Sequence, residues 1–271
     1  RDKRELGLSD DDMKRFDQML AHPHGIILVT GPTGSGKSTT LYTALSELNR
    51  ETVNIVTVED PVEANIDGVN QIQVNPKADM TFASALRSIL RQDPDIIMIG
   101  EIRDPETAEI AVQASITGHL VASTLHTNST SASIARLLNM GIEPYLMADA
   151  LVGVVAQRLV RKLCRCKRGR EATAQEKEEL GVNQDEVLTI YEPAGCQLCS
   201  QTGYFGRTAV YEMMPVTPEL RWAITKMQPS SKVKEIAQRE GMITLRGSAV
   251  RLVREGVTSL EEMKKIASEE D

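Results

Sequence analysis

Residues 31–38 read Gly31-Pro32-Thr33-Gly34-Ser35-Gly36-Lys37-Ser38, and this stretch decides the fold. It fits G-x-x-x-x-G-K-[ST], in which glycines let successive backbone N–H groups converge on an anion without Cβ clashes. A short apolar run, Gly25 to Thr30, precedes it, and a helical pattern follows from Thr39 to Leu48. Strand, loop and helix in that order are the context such a phosphate loop requires. The helix beginning at Lys37 aims its positive end at the same point. Lys37 is expected to reach the β- and γ-phosphates and the Ser38 hydroxyl to ligate Mg²⁺. Residues Gly31 to Ser38, with Thr39, are then the nucleotide-binding set. The competing reading is a glycine-rich turn with a surface lysine.

Working outward, strand and helix take turns. Ser9 followed by three aspartates reads as a capped helix start, and Pro23 stops that helix. Val53 to Val58, Asp95 to Ile99 and Leu120 to Leu125 read as buried strands. Phe82 to Leu90, Pro105 to Ser115, Ser129 to Leu138 and Pro144 to Gln157 read as helices. This alternation predicts an α/β fold with a parallel sheet covered on both faces. From Leu163 to Gly206 the pattern breaks into a cysteine-bearing stretch with a charged helix-like segment, Thr173 to Leu180, and no buried strand. Thr208 to Met213 returns as a strand. Helical patterns at Thr217 to Lys226, Ser231 to Glu240 and Leu245 to Glu255, and a capped start at Ser259, complete the chain.

Composition narrows the classes. The 271 residues suggest about two domains. Net charge is −7 and aromatics are 3%, which argues against both a phosphate-backbone footprint and a base-stacking platform. The expected partners therefore exclude nucleic acid. No apolar run is long enough to span a bilayer, and the charged N-terminus lacks a signal-peptide core. The chain reads as cytoplasmic, attached to a membrane only through partners. It begins without Met, so a longer parent protein is expected.

A nucleoside triphosphatase needs a carboxylate near Mg²⁺ on a neighbouring strand. The run Ile96 to Ile99 ends at Gly100-Glu101, with glycine where many such proteins carry Asp. Glu101 is expected to hold the metal through water or to polarise the attacking water; otherwise it is a helix-entry acid followed by Arg103 as a solvated charge. Val58-Glu59-Asp60-Pro61-Val62-Glu63 forms a second acidic edge at a strand end, where ligands meet such sheets. Glu59 or Glu63 is a candidate general base, or the segment is an ordinary acidic loop. Arg87 and Arg91 stand four apart on one helix face, where like charges repel unless an anion is shared. They would reach a phosphate in their own subunit or a neighbour's, or form a solvated face. His126, at the end of its strand, is a candidate γ-phosphate sensor, whereas His119 reads as structural.

The four cysteines fall as Cys164-Arg165-Cys166 and Cys196-Gln197-Leu198-Cys199. In a reducing compartment that arrangement reads as a closed zinc site rather than disulfides. The first pair is one residue shorter than C-x-x-C. The alternative is four reduced, partly buried thiols.

Together these residues resemble the secretion and pilus motor ATPases, from about Leu6 to about Leu260. Within them the chain is most similar to the assembly ATPases of type II secretion and type IV pili. The motifs that carry the likeness are the phosphate loop, the acidic box Glu59 to Glu63, the atypical Walker B segment Ile96 to Glu101 and the histidine box Thr117 to His126. Gly195 to Tyr211 is similar to the end of that family's metal-binding subdomain. Retraction ATPases of pili share the core but lack the cysteines, so the thiols favour assembly.

The resemblance implies a RecA-like P-loop core over 1–160, a tetracysteine zinc subdomain over 161–208 and a helical C-terminal region over 209–271. It further implies an ATP-hydrolysing motor in a homo-hexameric ring, working against inner-membrane platform and adaptor proteins, with ATP, Mg²⁺ and Zn²⁺ as ligands. Arginines of a preceding domain would complete the site, so this stretch alone would bind nucleotide and hydrolyse it slowly. A RecA-like nucleic-acid motor and a nucleotide-binding scaffold with little turnover remain as alternatives.

Overall fold

The computed structural model describes residues 2–269. In chain order the first elements are α1 (Asp10–Leu20), β1 (Gly25–Thr30), α2 (Lys37–Leu48), β2 (Ile55–Glu59), β3 (Asn70–Gln73), α3 (Phe82–Ile89) and β4 (Ile96–Ile99). Next come α4 (Pro105–Ile116), β5 (Leu120–Leu125), α5 (Thr130–Asn139), α6 (Pro144–Ala150) and β6 (Leu151–Leu163). The remainder is β7 (Arg168–Glu171), α7 (Ala174–Glu179), β8 (Thr189–Glu192), β9 (Tyr204–Pro215), α8 (Pro218–Thr225), α9 (Ser230–Arg239), α10 (Leu245–Arg254) and α11 (Leu260–Glu269).

Seven strands form one sheet in the order β3-β2-β4-β5-β1-β6-β9. The pairs β1/β5, β1/β6, β2/β3, β2/β4 and β4/β5 are parallel. Strands β1, β2, β4 and β5 are buried at every position, as a sheet covered on both faces requires. The strand expectations around β1, β2, β4 and β5 are met, and the α/β class with them.

One stretch departs from its expected form. Pro144 to Gln157 is not a single helix: α6 ends at Ala150 and β6 starts at Leu151. The apolar run there is rich in β-branched residues, with Val152, Val154 and Val155 around Gly153, and such residues favour strands. Gly153 lets α1 approach closely, since a Cβ there would lie 2.4 Å from the Met19 Cε of α1 and the methionine would have to shift. The strand expected at Thr208 to Met213 is longer, as β9. Two short antiparallel strands, β7 and β8, lie inside the cysteine-bearing stretch, with Arg168 opposite Glu192. β7 is polar and largely exposed, and β8 carries only Ile190 fully buried, so neither offered an apolar run to detect.

Two compact units emerge, Arg1–Gln157 with Glu212–Met242, and Arg158–Tyr211 with Ile243–Asp271. Strands β6 and β9 each begin in one unit and end in the other. The 209–271 stretch therefore contributes to both units. The first unit carries a continuous core on the sheet, including Leu28, Val58, Leu86, Ile97, Ala111 and Val121. In the second, the Arg161 guanidinium stacks 3.9 Å from the Tyr204 ring centre and its Nε donates to Glu262 Oε1 at 3.0 Å. Burial works against the Glu262 carboxylate, but the donors from Arg161 and Lys265 outweigh it and hold the carboxyl below its usual range. Among the described residues no helix is long and apolar enough to cross a membrane.

Local capping fixes the helices that leave the sheet's C-terminal edge. Asp104 caps α4, its carboxylate accepting from the Thr107 N–H at 2.8 Å and the Thr107 hydroxyl at 3.0 Å. Replacing Asp104 by Ala should remove about 1 kcal/mol of stability, read as a lower urea midpoint with an unchanged m-value.

Candidate functional site

The phosphate loop joins the buried end of β1 to α2. Gly34 and Gly36 take φ of 81° and 90°, values that side chains with a Cβ rarely adopt. Gly36 is the N-cap of α2 and supplies no side-chain hydrogen bond, so the first N–H groups of α2 lack a side-chain acceptor. Ser38 is exposed beside them and Thr39 half-buried. Ser35 is 3% exposed, and its Oγ has no hydrogen-bond partner. A helix start with no capping side chain, an orphaned buried hydroxyl and an adjacent cation together fit a phosphate group.

Lys37 is buried, and its Nζ donates to Gly31 O at 2.7 Å and Leu125 O at 3.3 Å. It also lies 2.9 Å from His126 Nδ1, while His126 Nε2 lies 3.0 Å from Glu101 Oε2. An ammonium only donates, so Nδ1 must carry the lone pair. Neutral His126 therefore bears its proton on Nε2 and donates it to Glu101. The structure thus brings together Lys37, His126 and Glu101, three residues far apart in sequence. His119, by contrast, bonds the Ala114 carbonyl at 2.9 Å through Nδ1, a structural contact.

The end of β4 explains its unusual glycine. A Cβ at Gly100 would stand 3.3 Å from both Glu59 Cα and the Val58 carbonyl oxygen. Any side chain there would be tight against backbone that must give by a few tenths of an ångström, and the first acid after β4 is Glu101. Arg103 is no free solvated charge: it stacks 5.0 Å from the Phe82 ring centre and reaches Asp60 at 3.1 Å and Glu101 at 3.7 Å.

The acidic box separates its two glutamates. Glu59 is 2% exposed. Its Oε1 accepts from the Tyr42 hydroxyl, and its Oε2 from Thr57 Oγ1 at 2.7 Å and Gln71 Nε2 at 3.2 Å. Burial, and then the Glu59 carboxylate, push the Tyr42 hydroxyl above its ordinary pKa. Glu63 is exposed, and its backbone N–H donates to Tyr42 Oη at 3.1 Å.

Arg87 and Arg91 are not drawn to the Lys37 cluster. Arg87 pairs with Glu106 of α4 at 2.6 Å, with both side chains about half exposed. Arg91 lies exposed in a 3-10 turn beyond the end of α3.

Sequence reasoning missed Gln157 and Tyr42. Gln157 Nε2 donates to the Ser35 carbonyl at 2.7 Å, and its Oε1 accepts from Thr40 Oγ1 at 2.6 Å. Placing Gln157 in a helix hid it; as a residue of the strand beside β1 it sits next to the loop. Tyr42 lies three and four positions from Thr39 and Ser38 on α2, and that periodicity was the one signal available.

In the second unit the four thiols converge, with all their Sγ atoms within 4.8 Å of one another. Cys164 and Cys196 are 3.7 Å apart, Cys196 and Cys199 3.7 Å, and Cys166 and Cys199 3.9 Å. These are free thiols, and thiolates about 2.3 Å from a tetrahedral ion stand about 3.8 Å apart. The shorter Cys164–Cys166 spacing thus does not prevent a four-thiol site, and the set can hold a metal. Burial opposes ionisation of Cys199, but N–H donors from Cys196 and Gly203 prevail and bring its thiol to about 6. At Cys164 the Cys166 N–H acts downward, but burial and the neighbouring thiols raise it to about 11. Lys167 donates to Gly256 O at 2.6 Å and lies 4.5 Å from the Tyr191 ring centre.

The model of the type II/IV secretion system protein family matches residues 2–265. The chain is 52% identical over 266 residues to the type II secretion system protein E of Pseudomonas aeruginosa, covering 98% of this chain and 53% of that protein. It is 50% identical over 269 residues to the type II secretion system ATPase E of Vibrio cholerae, with 99% and 53% covered. The type IV pilus assembly ATPase PilB of Thermus thermophilus is 47% identical over 262 residues, with 96% and 30% covered. The chain thus spans about half the length of the first curated relatives it matches. The crystal structure of the pilus retraction motor PilT with bound ADP aligns with a TM-score of 0.74 at 29% identity, covering 98% of this chain and 66% of that one.

Changing Gln157 to Leu strips the Ser35 carbonyl and the Thr40 hydroxyl of a buried partner. Stability should fall by about 1–3 kcal/mol, measured by chemical unfolding.

Proposed function

This chain belongs to the type II/IV secretion system protein family, and from that premise we propose that it is the catalytic part of an ATP-hydrolysing motor. The motor would power assembly of a type II secretion pseudopilus or a type IV pilus. One observation carries the reading: the Lys37–His126–Glu101 chain of hydrogen bonds sits directly on a phosphate loop whose helix start has no capping side chain.

ATP is the substrate. The loop N–H groups and Lys37 bind the β- and γ-phosphates, and Ser38 with Glu101 would hold Mg²⁺, which supplies neutralisation of phosphate charge. His126 sits where Lys37 and Glu101 meet, so a γ-phosphate that draws Lys37 away changes the histidine's partners. That makes it the sensor of nucleotide state. Of the two glutamates, Glu63 is the better base for water, because it is exposed while both oxygens of Glu59 already accept hydrogen bonds. Arg87 and Arg91 lie on an exposed face and would serve a neighbouring subunit's phosphates across a homo-hexameric interface. The ring would act on inner-membrane platform and adaptor proteins from the cytoplasmic side. The division of labour is a RecA-like core over 1–160, a zinc-binding subdomain over 161–208 and a helical C-terminal region over 209–271. Zinc is the ion whose thiolate geometry the four sulfurs match, and its role is structural because no ligand position stays open.

In the full-length protein, Lys37→Ala should cut phosphate release by on the order of a hundredfold or more while leaving the protein folded, as read by circular dichroism. An enzyme that still turns over at the parental rate would refute the assignment. The zinc assignment is checked by elemental mass spectrometry: the protein should carry one zinc per chain. The Cys196→Ser/Cys199→Ser variant should carry none and lose protease resistance in residues 158–211.

A further inference from the structure

The turn after β2 is pinned at several points. Val62 N–H donates to Gln73 Oε1 at 3.2 Å, and Ile66 N–H to Gln71 Oε1 at 2.8 Å. Gln71 Nε2 donates to the Ala64 carbonyl at 2.8 Å. Those pegs come from β3. The fourth, from Tyr42 Oη to the Glu63 N–H, comes from α2, the helix whose first residue is Lys37. The same oxygen donates its proton to Glu59 Oε1. One hydroxyl therefore uses its donor on a buried carboxylate and its acceptor lone pair on the backbone of the exposed glutamate.

This arrangement has a mechanical consequence. A helix is stiff, and five residues of it rise about 7.5 Å, so Lys37 and Tyr42 move as one body. Glu59 cannot give way easily, because Thr57 and Gln71 hold its other oxygen. Fixing the Tyr42 hydroxyl therefore fixes the Glu63 backbone at a set offset from the phosphate loop. A phenylalanine would fill the same space and supply none of this.

We propose that Tyr42 is a positioning residue for hydrolysis, holding Glu63 in register with the phosphate loop through its paired bonds to Glu59 and the Glu63 N–H. The inference rests on the reading of Glu63 as the base that activates water. Tyr42 touches neither nucleotide nor water in this role. Its contribution is confined to the chemical step, since Lys37 and Ser38 bind phosphate without it. Misplacing a reacting group by about 1 Å costs on the order of a hundredfold in rate.

The test compares the full-length protein with its Tyr42→Phe, Glu59→Gln and Glu63→Gln variants. Phosphate release gives kcat and KM for ATP, calorimetry gives Kd for Mg-ADP, and thermal unfolding gives Tm. Tyr42→Phe is expected to lower kcat by about ten- to a hundredfold, with KM and Kd within about twofold and Tm within a few degrees. Should the phenylalanine variant unfold early, Glu59→Gln keeps the ring and hydroxyl whole, replaces one of the two accepting oxygens by an amide donor, and should give the same split wherever its Tm stays within a few degrees of the parent. A Tyr42→Phe kcat within twofold of the parent, beside a dead Glu63→Gln, overturns this inference and leaves the base assignment standing. A fall in kcat matched by equal losses in Kd and Tm also overturns it, because the tyrosine is then merely structural. A fully active Glu63→Gln instead sinks the base assignment.

Discussion

Everything at the site depends on the phosphate loop carrying the chain from the end of β1 into α2 with a glycine, Gly36, as the N-cap. No capping side chain then occupies the positive end of α2, which is left for an anion. The loop keeps this form because its surroundings constrain it. Gly31 N–H donates to Leu125 O at 3.3 Å, and Thr30 Oγ1 lies 2.6 Å from Thr127 Oγ1, which ties the ends of β1 and β5 together. Gln157 braces the far side through the Ser35 carbonyl. Glycines at 34 and 36 take up the positive φ that the path requires. An anion is the natural complement to such a frame, which is why the phosphate reading governs the rest.

Charge placement around that frame follows from the sheet. Parallel strands end on one edge, so β2, β4 and β5 deliver Glu59, Glu101 and His126 toward the loop that leaves β1. The acids do not simply repel one another. Arg103 lies between Asp60 and Glu101, and His126 lies between Glu101 and Lys37. Each carboxylate thus faces a donor, and each donor has a second use once a phosphate arrives. In the proposed mechanism that exchange of partners converts nucleotide state into a change at the strand ends.

The second unit uses a different kind of order. Its strands β7 and β8 are short and its apolar content is thin, and small bodies of that kind commonly use a metal to secure their fold. Four thiols at tetrahedral spacing, with backbone N–H groups aimed at the Cys199 and Cys166 sulfurs, provide for that. Arg161, Tyr204, Glu262 and Ser259 add a polar cluster of their own, with Tyr204 Oη 2.7 Å from Ser259 Oγ.

The sequence alone determined what depends on neighbours along the chain. The phosphate loop is legible because its anion-binding geometry comes from consecutive residues. The strands β1, β4 and β5 are legible because burial on both faces demands continuous apolar runs. The helix starts at Ser9 and Pro105 are legible because caps and first-turn prolines are local signals. Tertiary structure decided what depends on long separations. Gln157 meets Ser35 across 122 positions and His126 meets Lys37 across 89, and no periodicity records such a meeting. That Arg87 has an ion-pair partner in Glu106 was decided by where α4 packs. Leu151 to Gln157 was as apolar as a helix face, and its β-branched residues found their strand by pairing with the edge of β1. Glu59 and Glu63 are the same acid four residues apart. They part company because the first ends a buried strand among three donors, while the second lies past the turn in water.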